Sequence, residues 1–159
     1  MMQKLIQTDN SKTTLIVRLM VGAVFLSEGI QKFLFPGELG AGRFEKIGLP
    51  NPEFLGPFVG SFEVICGLLI LIGFLTRFGA MAMLVNISVA IISTKIPILI
   101  GSDLGIFQVG KFDTYGFWSM AHEARTDYAM WLGSIFLSIK GGGKWSLDSK
   151  IFIINTQRR

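Results

Sequence analysis

Long apolar runs separated by short polar breaks dominate the chain, and their lengths decide its first reading. A helix must contribute roughly 20 mostly apolar residues to cross a hydrocarbon core about 30 Å thick, because it rises about 1.5 Å per residue. Four stretches meet or approach that length, at 13–35, 57–75, 78–100 and 121–139. The fourth opens on the polar run AHEARTDY, whose charges belong either at the headgroups or toward a protein interior. The predicted fold is all-α: an integral membrane four-helix bundle over 13–140, preceded by a polar tail at 1–12 and followed by a basic segment at 141–159.

The breaks have their own chemistry. Pro36, Gly37, Gly40, Gly42, Gly48, Pro50 and Pro52 punctuate the first long loop, which predicts a folded-back cap over the bundle mouth with no long helix of its own. Only two or three residues separate the second and third stretches, which makes them antiparallel neighbours. The loop at 101–120 carries Phe107, Phe112, Tyr115, Phe117 and Trp118, an aromatic set suited to the membrane interface or to a lid. Three glycines at 141–143 end the fourth helix, and the apolar IFII run after KWSLD suggests a short interfacial segment.

Helices in lipid associate through small and polar residues, so those residues mark the inward face. On a 100° wheel, Arg18, Gly22, Glu28, Gly29 and Lys32 share about a third of the first helix, and Gly56, Gly60, Glu63 and Gly67 form a narrow stripe on the second. Asn86 lies on the small-residue face of the third, and Glu123 and Asp127 on that of the fourth. Counted from the loop ends, Glu28, Glu63 and Asp127 all sit about 10 Å inside. The candidate ligand-binding or proton-exchanging seam is therefore Glu28, Lys32, Glu63, Glu123, Asp127, Asn86 and Arg18. Lys95 falls opposite Asn86 on this wheel, and Arg125 opposite Asp127, which leaves both outside the seam. Lys32 follows Glu28 by four residues, a favourable ion-pair spacing. One lysine cannot neutralise four acids, so the seam is expected to retain a proton. The alternative is a buried polar lock that only fixes helix register. Arg18, near its helix end, also fits an interface anchor that snorkels to the headgroups.

The net charge of +4 changes the picture less than its distribution does. With four spans, the side bearing both tails holds Lys4, Lys12, Arg77, Lys140, Lys144, Lys150, Arg158 and Arg159, against Arg43, Lys46 and Lys111 on the other. This asymmetry predicts cytoplasmic N and C termini and makes the positive charge a topology signal rather than a nucleic-acid surface. Arg18, Glu28 and Lys32 within the first stretch, with no small-residue cleavage site, argue against a cleaved signal peptide. The single cysteine, Cys66, excludes an intrachain disulfide and a CxxC pair and reads as a small packing residue. The single histidine, His122, excludes haem held by two histidines of this chain, and no metal site is predicted.

The arrangement of Arg18, Gly22, Gly29 and Lys32, then Glu63 and Gly67 with LLILIGFLTR, then GGGKWSLD after the fourth helix, resembles the DoxX family of four-span bacterial membrane proteins, over roughly 14–150. The resemblance implies a bundle in the bacterial inner membrane that serves as a subunit of a membrane oxidoreductase system. The expectations that follow are an accessory or quinone-interacting subunit, with no intrinsic cofactor, a bound quinone in the seam, a redox partner subunit and self-association. A proton-coupled or small-solute transporter and a non-catalytic scaffold are the alternatives.

Overall fold

A computed structural model describes residues 7–151, and every regular element among them is helical. Lys4, Arg158, Arg159 and most of the IFII run lie outside the described residues. Helix α1 spans Thr14–Leu34, the short α2 Ala41–Lys46, α3 Pro52–Ile72, α4 Thr76–Ile100, α5 Phe117–Glu123 and α6 Arg125–Lys140. Within α4, residues Ile91–Lys95 form a π-turn between two α-helical segments.

Three helices, α1, α3 and α4, are long and apolar enough to cross a membrane. The fourth predicted stretch is divided at Ala124 into α5 and α6. With 16 residues, α6 is about 24 Å long and falls short of that length. The second stretch begins five residues earlier than its apolar run suggests, at Pro52, where a missing N–H costs nothing. Pro57 lies inside that helix, in its second turn.

Glycine sets the spacing of the bundle. Helices α1 and α3 pack so closely that a Cβ on Gly29 would lie 2.7 Å from the Gly60 carbonyl oxygen, and one on Gly67 would lie 2.7 Å from the Leu26 nitrogen. Helix α6 closes the bundle by packing on both α4 and α1. The core between them is apolar, built around Val21, Phe25, Cys66, Ile70, Met83 and Leu137. Ile16, Phe54, Ile65, Val85 and Ile139 are exposed on the outside, as lipid-facing positions should be. The turn between α3 and α4 is three residues long, opened by Gly73 at φ 72°.

Arg18 is not an interface anchor. It is 2 % exposed, and its guanidinium donates to the carbonyls of Ile70 at 2.9 Å, Gly142 at 3.2 Å, Trp145 at 2.6 Å and Leu71. Ile70 and Leu71 belong to the last turn of α3, where helix carbonyls lack intrahelical partners and a cation is favoured. The sequence allows either snorkelling or a place in the seam, and the structure shows neither. The segment after α6 folds back over that end and supplies better acceptors than water.

Candidate functional site

One cavity, of about 450 Å³, lies at the end of the bundle that carries the two long loops. Helix α1 lines it with Val24, Phe25, Glu28 and Lys32, and α3 with Leu55, Val59 and Glu63. Both sets recur every three or four residues, so each helix presents a single stripe. From α4 come Asn86, Ile87, Ala90, Ser93, Thr94 and Lys95, and from the last quarter Glu123, Thr126, Asp127 and Met130. The predicted cap is ordered: α2 packs on α3, and Arg43, Phe44, Ile47 and Leu49 reach the cavity from it and from the turn that follows.

Glu63 is the centre of the deep end. It is 5 % exposed, with Lys32 Nζ 2.6 Å from Oε2 and Asn86 Nδ2 donating to Oε1 at 2.8 Å. Three helices thus meet at one carboxylate, and both of its oxygens are bonded. Glu28 stands further out, 3.9 Å from Lys32 Nζ, with its side chain almost half exposed. The close approach at Gly29 and Gly60 positions this cluster, since a Cβ on Gly60 would sit 3.2 Å from Lys32 Cβ.

The structure therefore brings Glu28, Lys32, Glu63, Asn86, Glu123 and Asp127 to one cavity and leaves Arg18 out of it. It also corrects the exclusion of Lys95. Lys95 Nζ lies 3.2 Å from Asp127 Oδ2, and the residue is buried. On an unbroken α-helix, nine residues at 100° put Lys95 about 180° from Asn86, on the opposite face. A π-turn accommodates one extra residue, so the effective rotation returns Lys95 to within about 80° of Asn86. Pro97 supplies a local reason for that turn, because it has no N–H to bond back to the Ser93 carbonyl and its ring crowds the preceding turn. Ser93 and Thr94 hydroxyls both donate to the Ala90 carbonyl there, at 3.2 and 2.7 Å. Two lysines, not one, thus face the four acids, with Arg43 as a third cation on the cavity wall. Arg125, also set aside in the sequence, does not line the cavity.

The family model described as DoxX matches residues 13–96, more than half of the chain. This chain belongs to the DoxX family. An uncharacterized membrane protein of Mycobacterium tuberculosis is 46 % identical over 149 residues, which is 93 % of this chain and 86 % of that relative. No solved structure matches. As a DoxX protein the chain is an integral membrane protein. The matched region reaches one residue past Lys95, so the α6 wall of the cavity lies beyond it.

A second polar cluster in this DoxX protein escaped sequence reasoning altogether. Asp148 is 1 % exposed and accepts from the backbone of Leu75 and Thr76 and from the Thr76 hydroxyl. It caps α4 at the end of the bundle opposite the cavity, beside the Arg18 network. The only signal in the sequence was its place in the GGGKWSLD segment.

Proposed function

We propose that this DoxX protein is a quinone-interacting subunit of a membrane-associated oxidoreductase system, with the cavity as the head-group site. The observation that carries the reading is the buried Lys32–Glu63–Asn86 cluster at the base of a cavity walled by Val24, Phe25, Leu55, Val59 and Ile87. Such sites are mostly apolar, of about 300–1,000 Å³, with a few convergent polar groups. A cavity of about 450 Å³ falls in that range. The fit is also chemical: Lys32 and Asn86 are donors suited to a carbonyl oxygen, and Glu63 is a carboxyl that can hold or release a proton.

When bound, a quinone supplies carbonyl oxygens that take up protons as the ring accepts electrons. Lys32 and Asn86 orient the head group, and the apolar walls exclude water from it. Glu63 holds or releases a proton at its carboxylate oxygens, and Glu28, half exposed beside Lys32, is a second carboxylate within reach of the same ammonium. One histidine and one cysteine are too few ligands for an iron–sulfur cluster or a bis-histidine haem within this chain. Electrons therefore come from a partner subunit in this reading. The excess of Lys and Arg on the side of the tails favours, in this reading, a cavity that opens toward the outer face of a bacterial inner membrane.

The transporter alternative is weaker because the cavity ends on packed core. Beyond Phe25, Ile87 and Met130, the bundle is filled by Val21, Ile70, Met83 and Leu137, and the far end is closed by Arg18.

The test is purification of the full chain from its native membrane in mild detergent, followed by mass spectrometry of extracted lipids and co-purifying proteins. A quinone retained by the wild type and lost in Glu63→Gln supports the reading. A quinone content equal to that of the surrounding lipid in both proteins overturns it.

A further inference from the structure

The two lysines of the cavity are unequally satisfied. Lys32 Nζ has Glu63 Oε2 at 2.6 Å, and the Glu28 carbonyl oxygen lies 3.5 Å away. Lys95 Nζ has, among the described residues, the Asp127 carboxylate at 3.2 Å as its oxygen partner. An ammonium carries three N–H donors. At least two of those on Lys95 therefore have no acceptor among the described residues, although the residue is only 7 % exposed and sits in a helix that is long and apolar enough to span the membrane. A charge in that position is costly, and it is held there by the π-turn, which rotates it onto the cavity wall.

The direction of the side chains matters as much as their placement. Long side chains on a helix lean toward its N-terminus. Lys95 thus leans back along α4 toward Asn86. Glu63, on the antiparallel α3, leans toward the loop end. Both side chains line the cavity, with Ile87, Ala90 and Met130 among its apolar walls.

We propose that Lys95 is a second ligand-contacting residue of this cavity. Its free N–H groups bond an acceptor oxygen at the loop-side end of the bound head group, while Lys32, Glu63 and Asn86 bond one at the deep end. The inference rests on the quinone reading and adds a specificity to it: a ring with two opposed oxygens is preferred over a ring with one. Asp127 acts through Lys95 as a positioning residue.

The experiment uses the full chain in lipid nanodiscs, with decylubiquinone binding followed by quenching of tryptophan fluorescence and 4-decylphenol as the competing single-oxygen ring. The informative variant is Lys95→Met with Asp127→Leu, because replacing both members of a buried pair by apolar residues preserves stability better than removing one. A double variant that melts like the wild type is expected to bind decylubiquinone about tenfold more weakly and to lose its preference over 4-decylphenol. Wild-type affinity and preference in that folded variant overturn the proposal and leave the pair a structural contact. If the double variant does not fold, Asp127→Asn decides: it keeps the ammonium but loosens its anchor, so quinone affinity and the preference over 4-decylphenol are expected to fall several-fold, whereas both unchanged overturn the proposal. A wild type that binds neither ring overturns the quinone reading itself, and this inference with it.

Discussion

Asp148 accepts the backbone N–H of Leu75 at 2.8 Å, and through it a leucine is held at φ 48°, in the left-handed region that side chains disfavour. The same carboxylate takes the Thr76 N–H at 2.9 Å and its hydroxyl at 2.8 Å, which caps α4 from a segment 72 residues further along the chain. Asp148→Ala orphans two backbone donors and a hydroxyl at once and is expected to cost about 2–3 kcal/mol. Cys66 offers the measurement. As the single thiol, 1 % exposed, it should react with a maleimide dye only on unfolding, so the labelling temperature reports the loss.

Gly29→Ala is expected to be among the most damaging single-methyl changes in the chain. The new Cβ would meet the Gly60 carbonyl oxygen at 2.7 Å and the Val64 nitrogen at 2.8 Å, and neither backbone atom can give way. Separating α1 from α3 would cost about 1–3 kcal/mol and also draw Lys32 away from Glu63. The same dye assay checks the first effect, and weakened quinone binding in the surviving folded fraction checks the second. Gly37→Ala, where nothing lies within 4 Å of the added methyl, is the control and should be near neutral.

Arg18→Lys keeps the charge and is nonetheless expected to destabilise. The guanidinium reaches four carbonyls on two segments, and an ammonium cannot span Ile70, Leu71, Gly142 and Trp145 together. A loss of about 2–3 kcal/mol follows from the orphaned buried acceptors. Since Arg18 lies away from the cavity, quinone affinity measured on folded protein should not change. A change in affinity without a change in melting would contradict the assignment.

For the deep ion pair, single and paired substitutions should separate. Lys32→Met alone leaves Glu63 buried with only Asn86 and is expected to cost about 3 kcal/mol or more. Lys32→Met together with Glu63→Met should recover most of that stability while abolishing quinone retention. A double variant that melts normally and still retains quinone would mean that the cluster locks the helices and does nothing else.

The wheel and the depth count were enough to bring Glu28, Lys32, Glu63, Asn86, Glu123 and Asp127 to one place, because α1 and α3 run as unbroken α-helices over these positions and α6 begins just before Asp127. Lys95 was assigned to the wrong face for a specific reason: the wheel assumes 100° at every residue, and the turn at Ile91–Lys95 does not obey it. Pro97 marked that irregularity without giving its size or direction. Arg18 and Asp148 were opaque for another reason. Their partners are 52 to 127 residues away along the chain, and no local pattern specifies where a segment after three glycines folds back. The break at Ala124 had a visible cause in the polar run around it, but apolar length alone merged α5 with α6.

The π-turn in α4 has an implication for how such proteins diverge. Because it is geometrically equivalent to a single-codon insertion, deleting one residue between Ile91 and Lys95 would regularise the helix and leave everything after it on the same face. Lys95 would then keep its place on the cavity wall, eight regular residues after Asn86. A relative that keeps every residue but runs through this stretch as regular α-helix would instead carry the same lysine on the opposite face, so an inventory of shared residues is a poor guide to shared ligands unless the turn itself is shared too.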